Sequence, residues 1–290
     1  MQTMRTVALL CVCALIPLSL GAQQPAPTPA QSDPQAVALI QRSLAALTGG
    51  IQVSDATLTG TAQRIAGSDD ETGTATLKAT ALGDSRVDLV LPSGNRSEIR
   101  NHAAVPLPGS LPGGAPVAAT QAVQPVGAWS GPDGVIHGMV NHNVMTEGSW
   151  FFPAASITRI ISTQGYVLSY IGPANLNGEH VTHIQLSEPL GPTVNAPPEM
   201  AALMQHLSQM DLYLDSATLL PVALDFSVHP DGNASLDIPM QIEFSGYRAV
   251  SGVQVPFHVQ KYLSYSLVLD LQLSGATLNS GLAAATFQIQ

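Results

Sequence analysis

The sequence predicts an α+β protein: one large antiparallel sheet, twisted and curled, with an N-terminal helix and a few further helical segments to cover it. Three observations carry this. After residue 50 the apolar spacing changes from helical to alternating, and it stays so through four successive segments. In the last third, four neighbouring segments alternate apolar and polar residues as half-buried strands do. Between these halves helical spacing is sparse. The chain has 290 residues, 45% hydrophobic and only 10% charged, which excludes a disordered chain and allows a substantial core.

The first segment reads as an address. Arg5 supplies a positive end, residues 6–20 are almost continuously apolar, and Ser19-Leu20-Gly21-Ala22 offers small residues for cleavage after Ala22. Residues 1–22 therefore read as a secretory signal peptide. The run is short for a membrane span, which needs about 20 residues, and Pro17 interrupts it. Cys11 and Cys13 are the only cysteines. A cleaved chain would hold no disulfide, thiolate nucleophile or cysteine-ligated metal. Neither cysteine follows a small residue, as lipidation would require. The expectation is a soluble periplasmic or secreted protein with no transmembrane segment after cleavage.

Residues 23–33 (QQPAPTPAQSD) read as a disordered Pro-rich linker, and residues 34–290 as a single β-rich domain. Asp33 is a candidate N-cap and Pro34 a first helical residue. Val37, Ile40, Leu44 and Leu47 then recur at helical spacing until Gly49-Gly50. Strands are predicted over 57–66, 74–82, 85–91 and 96–102, parted by turn residues at 68–73, 83–84 and 92–95. Residues 103–134 read as a long Pro/Gly/Ala-rich loop and 139–162 as partly helical. A hairpin over 166–171 and 180–186 turns at Asn177-Gly178, and a short helix is predicted over 199–209 with Met200, Leu203, Met204 and Leu207 on one face. Leu220, Val222, Leu224, Phe226 and Val228 alternate next. Ile238, Met240, Ile242 and Phe244 follow after a turn at 229–233, then Val253, Val255, Phe257 and Val259. Leu263, Tyr265, Leu267, Leu269, Leu271 and Leu273 close the pattern on one face.

One large sheet presents a continuous apolar face. If it curls, that face encloses a concave space, and Gly60, Ala62, Ala75, Ala79 and Ala81 would widen it. If the helices close onto it, the result is an ordinary packed core. The order of elements is signal, helix, four-strand meander, helical and loop insertion, then long C-terminal strands. With the stretches HNVMTEGSWFFP (142–153), MDLYLDSATLLP (210–221) and VSGVQVPFHVQ (250–260), it resembles the periplasmic lipoprotein-carrier, LolA/LolB-like, superfamily. More closely, it resembles uncharacterised exported proteins of soil bacteria. These motifs mark strands and turns rather than chemistry. The resemblance implies an unclosed β-barrel with helical lid segments, holding acyl chains in an apolar cavity.

No nucleophile elbow, HExxH helix, P-loop or dinucleotide fingerprint occurs. Acidic residues outnumber basic ones 20 to 10, which argues against a nucleic-acid groove. His102, His137 and His142, with Glu147 nearby, could assemble a metal site, but their spacing is not diagnostic. His229-Pro230 reads as a turn. The predicted function is thus a non-catalytic protein, without cofactor or metal, that binds a lipid, acyl chain or lipoprotein. The alternative is a cell-envelope interaction protein with a packed core and no ligand. The third reading is a hydrolase using the middle histidines. Trp150, Phe151 and Phe152 are the candidate lid. Three consecutive aromatics on a regular element cannot all face one core, so at least one is expected to point elsewhere. The candidate binding surface is the apolar face carrying Leu89, Leu168, Phe226, Phe244, Phe257 and Leu269.

Overall fold

The computed structural model describes residues 31–101, 126–163, 165–189 and 197–288. The predicted signal peptide, the linker up to residue 30, His102 and most of the predicted 103–134 loop lie outside the described residues.

Helix α1 (Pro34–Thr48) begins and ends on the residues that the sequence marks. The Asp33 carboxylate accepts from the Gln35 N–H at 2.7 Å, and Gly49 closes the helix at φ 57°. Ala36, Ile40, Ser43 and Leu47 are buried. Four strands follow: β1 (Asp55–Ala66), β2 (Asp69–Thr80), β3 (Ser85–Leu91) and β4 (Gly94–Asn101). The β1–β2 turn is shorter than predicted. Asp69, Asp70 and Glu71 pair with Ala66, Ile65 and Arg64, leaving only Gly67-Ser68 to turn. Here the ladder is held by polar side chains, Gln63 on Asp70 and Arg64 beside Glu71, so no apolar alternation announces it.

A short strand, β5 (Val126–Ser130), sits where a loop was expected, and another, β6 (Ile136–Gly138), follows it where no element was predicted. Helix α2 (Pro153–Ser162) precedes β7 (Val167–Leu176) and β8 (Glu179–Ser187), and α3 (Pro198–Leu207) precedes β9 (Met210–Asp215). The hairpins of β10 (Pro221–Val228), β11 (Ile238–Val250), β12 (Val253–Leu263) and β13 (Ser266–Leu278) complete the strands among the described residues.

All thirteen strands form one antiparallel sheet in the order β6-β5-β4-β3-β2-β1-β13-β12-β11-β10-β9-β8-β7. The fold is α+β, and the sheet is an unclosed, curled one, because β6 and β7 are its two edges and do not pair. Only residues 139–166 connect those edges. This crossover carries α2, which packs with α1 over the covered face against β12 and β7. One apolar cluster fills the space between sheet and helices. Among the described residues no helix is long and apolar enough to cross a membrane.

Two predicted faces shift locally. A bulge between Pro221 and Ala223 takes Val222 off the apolar row, and Pro221 pairs with Leu214 in its place. Leu263 ends β12, and Ser264-Tyr265 is the β12–β13 turn, both residues at positive φ (47° and 66°). Neither is Gly or Asn, so the sequence carries no turn signal there. Ala62, Ala75 and Ala79 belong to the filled core rather than to an open space.

Gly60 sits at a bulge where β1 meets β13, and an added Cβ would run into the Gln272 carbonyl. Gly60→Ala should cost about 1–3 kcal/mol of stability, whereas Gly138→Ala on the edge strand, with open space around it, should leave the urea midpoint unchanged.

Candidate functional site

The structure brings all nine sequence-predicted site residues into one apolar cluster. Leu89 (β3), Phe226 (β10), Phe244 (β11), Phe257 (β12), Leu269 (β13) and Leu168 (β7) line the covered face of the sheet. Trp150, Phe151 and Phe152 come from the crossover, and each is at most 1% exposed. The expectation that one of them points away from the core is corrected. They occupy a tight turn, closed by the Phe152 N–H on the Ser149 carbonyl at 2.9 Å, rather than a helix or strand. Irregular backbone releases successive side chains from fixed opposite faces. The Trp150 and Phe151 rings meet edge-on at 5.4 Å, and the Lys261 ammonium lies 4.6 Å from the Trp150 ring centre.

A buried polar group holds this turn. The Arg159 guanidinium, from α2, donates to Glu147 Oε2 at 3.0 Å and to the Tyr166 hydroxyl at 2.6 Å. The other Glu147 oxygen accepts from the Ser149 N–H at 3.0 Å and its hydroxyl at 2.8 Å. Burial disfavours the ionised Glu147, but Arg159 and the two Ser149 donors outweigh it and hold the carboxyl below its usual range. Burial likewise works against charged Arg159, and Glu147 more than offsets it. Tyr166 is pushed up, chiefly by burial. Glu147 is therefore committed to Arg159 and not to the middle histidines. Of those, His137 stacks on Trp129 at 4.3 Å, and His142 Nε2 lies 3.2 Å from the Pro230 carbonyl oxygen. The sequence offers one signal for the Glu147–Arg159 pair: two charges within an otherwise apolar stretch.

Behind the aromatics, between Trp150, Ile157, Leu186, Met210, Leu224 and Phe244, only about 20 Å³ is free. A much larger cleft of about 750 Å³ opens where α1, the α1–β1 loop and α2 meet. Leu44, Ala45, Ile51, Val53 and Ile161 give it apolar walls, and Gln41, Gln52 and Asn279 polar ones. The opposite face of the sheet is polar. There Asp225 is pushed up to about 6, first by burial and then by the nearby Asp211 and Glu243, against a hydrogen bond from Gln241. Its Oδ1 is buried without a partner, which further disfavours the ionised form.

No protein-family model matches the sequence, and no curated protein matches it significantly. Solved structures do match. An outer membrane lipoprotein-sorting protein domain from Vibrio parahaemolyticus superposes with a TM-score of 0.51 at 11% identity, over 87% of this chain and 96% of that one. A DUF1329 family protein from Desulfovibrio piger gives 0.51 at 11% identity, over 88% and 96%. At 11% identity, these two likenesses show a shared fold. A LolA superfamily protein from Nitrosomonas europaea matches over 88% and 97%, at 10% identity and a TM-score of 0.48.

Two outcomes are expected. Glu147→Leu or Arg159→Met alone should cost about 3–5 kcal/mol, because each strands a buried charge. The double variant should lose less than either single one in urea titrations. For Asp225 the folded-state value is raised from the ordinary 3.8 to about 6. The folded chain then keeps a proton that the unfolded chain has lost, so this group lowers stability as pH rises from 4 to 6. Asp225→Asn should melt higher than the wild type at pH 7.5, with the difference vanishing near pH 4.

Proposed function

We propose that the protein is an exported, non-catalytic carrier or sensor of a lipid, an acyl chain or a lipoprotein's acyl groups. The observation that carries this reading is the α1–α2 cleft. Its volume of about 750 Å³ falls within the roughly 300–1,000 Å³ of ligand pockets. It pairs apolar walls for a chain with a polar margin for a head group. It also lies at the seam between the two helices that cover the apolar sheet face.

Deeper entry requires the crossover to withdraw, since the space behind Trp150 is filled. Leu89, Leu168, Phe226, Phe244, Phe257 and Leu269 would then form the wall, and Trp150, Phe151 and Phe152 the displaced lid. A chain of about a dozen methylenes gains roughly 10 kcal/mol on burial, the same order as the roughly 4.5–9 kcal/mol that exposing the three aromatics costs. The same filled space favours a second reading, a cell-envelope interaction protein with a packed core and no ligand.

Native mass spectrometry of protein purified without detergent separates the two. A bound lipid-range mass, lost on denaturation, is expected for the carrier. A bare polypeptide that also ignores a fluorescent fatty acid would support the interaction protein. Ile161 is 39% exposed at the cleft, so Ile161→Glu should leave the fold intact. It should weaken fatty-acid binding by at least about tenfold, the effect of one buried apolar group on binding. Undiminished binding by that variant would remove the cleft from the proposal.

A further inference from the structure

Away from the apolar face, three side chains from separate elements converge. His206 lies in the last turn of α3, His229 directly follows β10, and Asp237 directly precedes β11. Asp237 Oδ1 is 2.9 Å from His206 Nε2 and 3.0 Å from His229 Nε2. The three ligating atoms all lie within 4.8 Å of one another. Among the described residues, no other three His, Cys, Asp or Glu side chains meet in this way.

We propose that His206, His229 and Asp237 bind a divalent transition-metal ion, zinc in the first instance. Two imidazoles and one carboxylate are the donor set of a borderline metal with an open position. Ligand atoms placed at about 2.0–2.1 Å around a tetrahedral ion sit roughly 3.3 Å apart. Both His–Asp pairs are within a few tenths of an ångström of that. The two histidines need to close by no more than about 1.5 Å to reach it.

The site is also built. The His229 side chain is 1% exposed, and its Nδ1 is buried without a hydrogen-bond partner. The polar contact of that ring therefore runs through Nε2, toward Asp237. Its backbone is clamped by one side chain of the crossover: Asn143 accepts from the His229 N–H at 2.8 Å and donates to its carbonyl at 2.7 Å. The His142 ring stands edge-on to His229 at 5.8 Å. The clamp fixes the position of the His229 backbone before a metal arrives. His206 and Asp237 line a hollow of about 250 Å³, together with Asp211, Asp225, Gln241 and Tyr265. A fourth position facing this acidic hollow suits water or a neutral donor better than an anion. The inference is independent of the lipid reading, because none of its residues lies in the α1–α2 cleft.

The test is a cobalt titration of EDTA-treated, chelator-free protein, read by d–d absorption, followed by displacement with zinc. One ion per chain with bands of tetrahedral intensity is expected. His206→Ala and Asp237→Asn are the variants of choice, since those side chains are 45% and 46% exposed and their loss should spare the fold. Each should weaken binding by more than about 100-fold, beyond the 10–100-fold typical of outer contacts. Zinc should also raise the melting temperature of the wild type and of neither variant. Absence of cobalt binding, or binding and thermal stabilisation that survive both substitutions, would overturn the assignment.

Discussion

An open sheet of thirteen strands cannot leave its apolar face in water, and a single connection has to run from one edge of the sheet to the other. That connection, residues 139–166, answers both demands. It carries three consecutive aromatics that fill the space under α1 and α2, and it carries Glu147 and Arg159, which decide where it sits. Apolar contact alone is non-directional and would tolerate sliding. A buried ion pair adds little net stability, yet it penalises every arrangement that separates its partners. The crossover is thus held by shape through Trp150, Phe151 and Phe152 and by position through Glu147.

The two faces of the sheet carry different chemistry as a result. The covered face is apolar across nearly every strand, so anything bound there has to compete with the crossover for the same surface. The cleft at the seam of α1 and α2 is where that competition costs least, since Ile51 and Ile161 are already partly exposed. The outer face carries rows of cross-strand polar pairs, such as His183 on Asp211 and His258 on Asp270. The crossover reaches that side as well, through His142 and Asn143, which grip the β10–β11 turn. One segment therefore touches both the apolar core and the His206–His229–Asp237 cluster.

Much of this was legible in the residues. Helix α1 is written in Asp33, Pro34 and Gly49, and β3 in an alternation that holds from Ser85 to Leu91. The six strand residues among the nine, Leu89, Leu168, Phe226, Phe244, Phe257 and Leu269, could be assigned to one face because strand period is two and their strands keep register near them. The failures share a cause. The first residues of β2, Asp69–Gly73, bury none of their side chains, so their pairing with the end of β1 leaves no hydrophobic signature. The turn at Ser264-Tyr265 uses residues that rarely adopt positive φ, and only the paired strands on either side hold them there.

By itself, the sequence determined which residues are apolar, at what period, and where the chain turns on Gly, Pro or Asn. That is enough for an α+β sheet with one buried face, because local periodicity is a property of neighbouring residues. Only the tertiary structure decided that the buried face is filled rather than hollow, that Glu147 belongs to Arg159, and that His206, His229 and Asp237 share one point. Each of those depends on distances between segments far apart along the chain, and such distances are set by sheet order and by the path of the crossover.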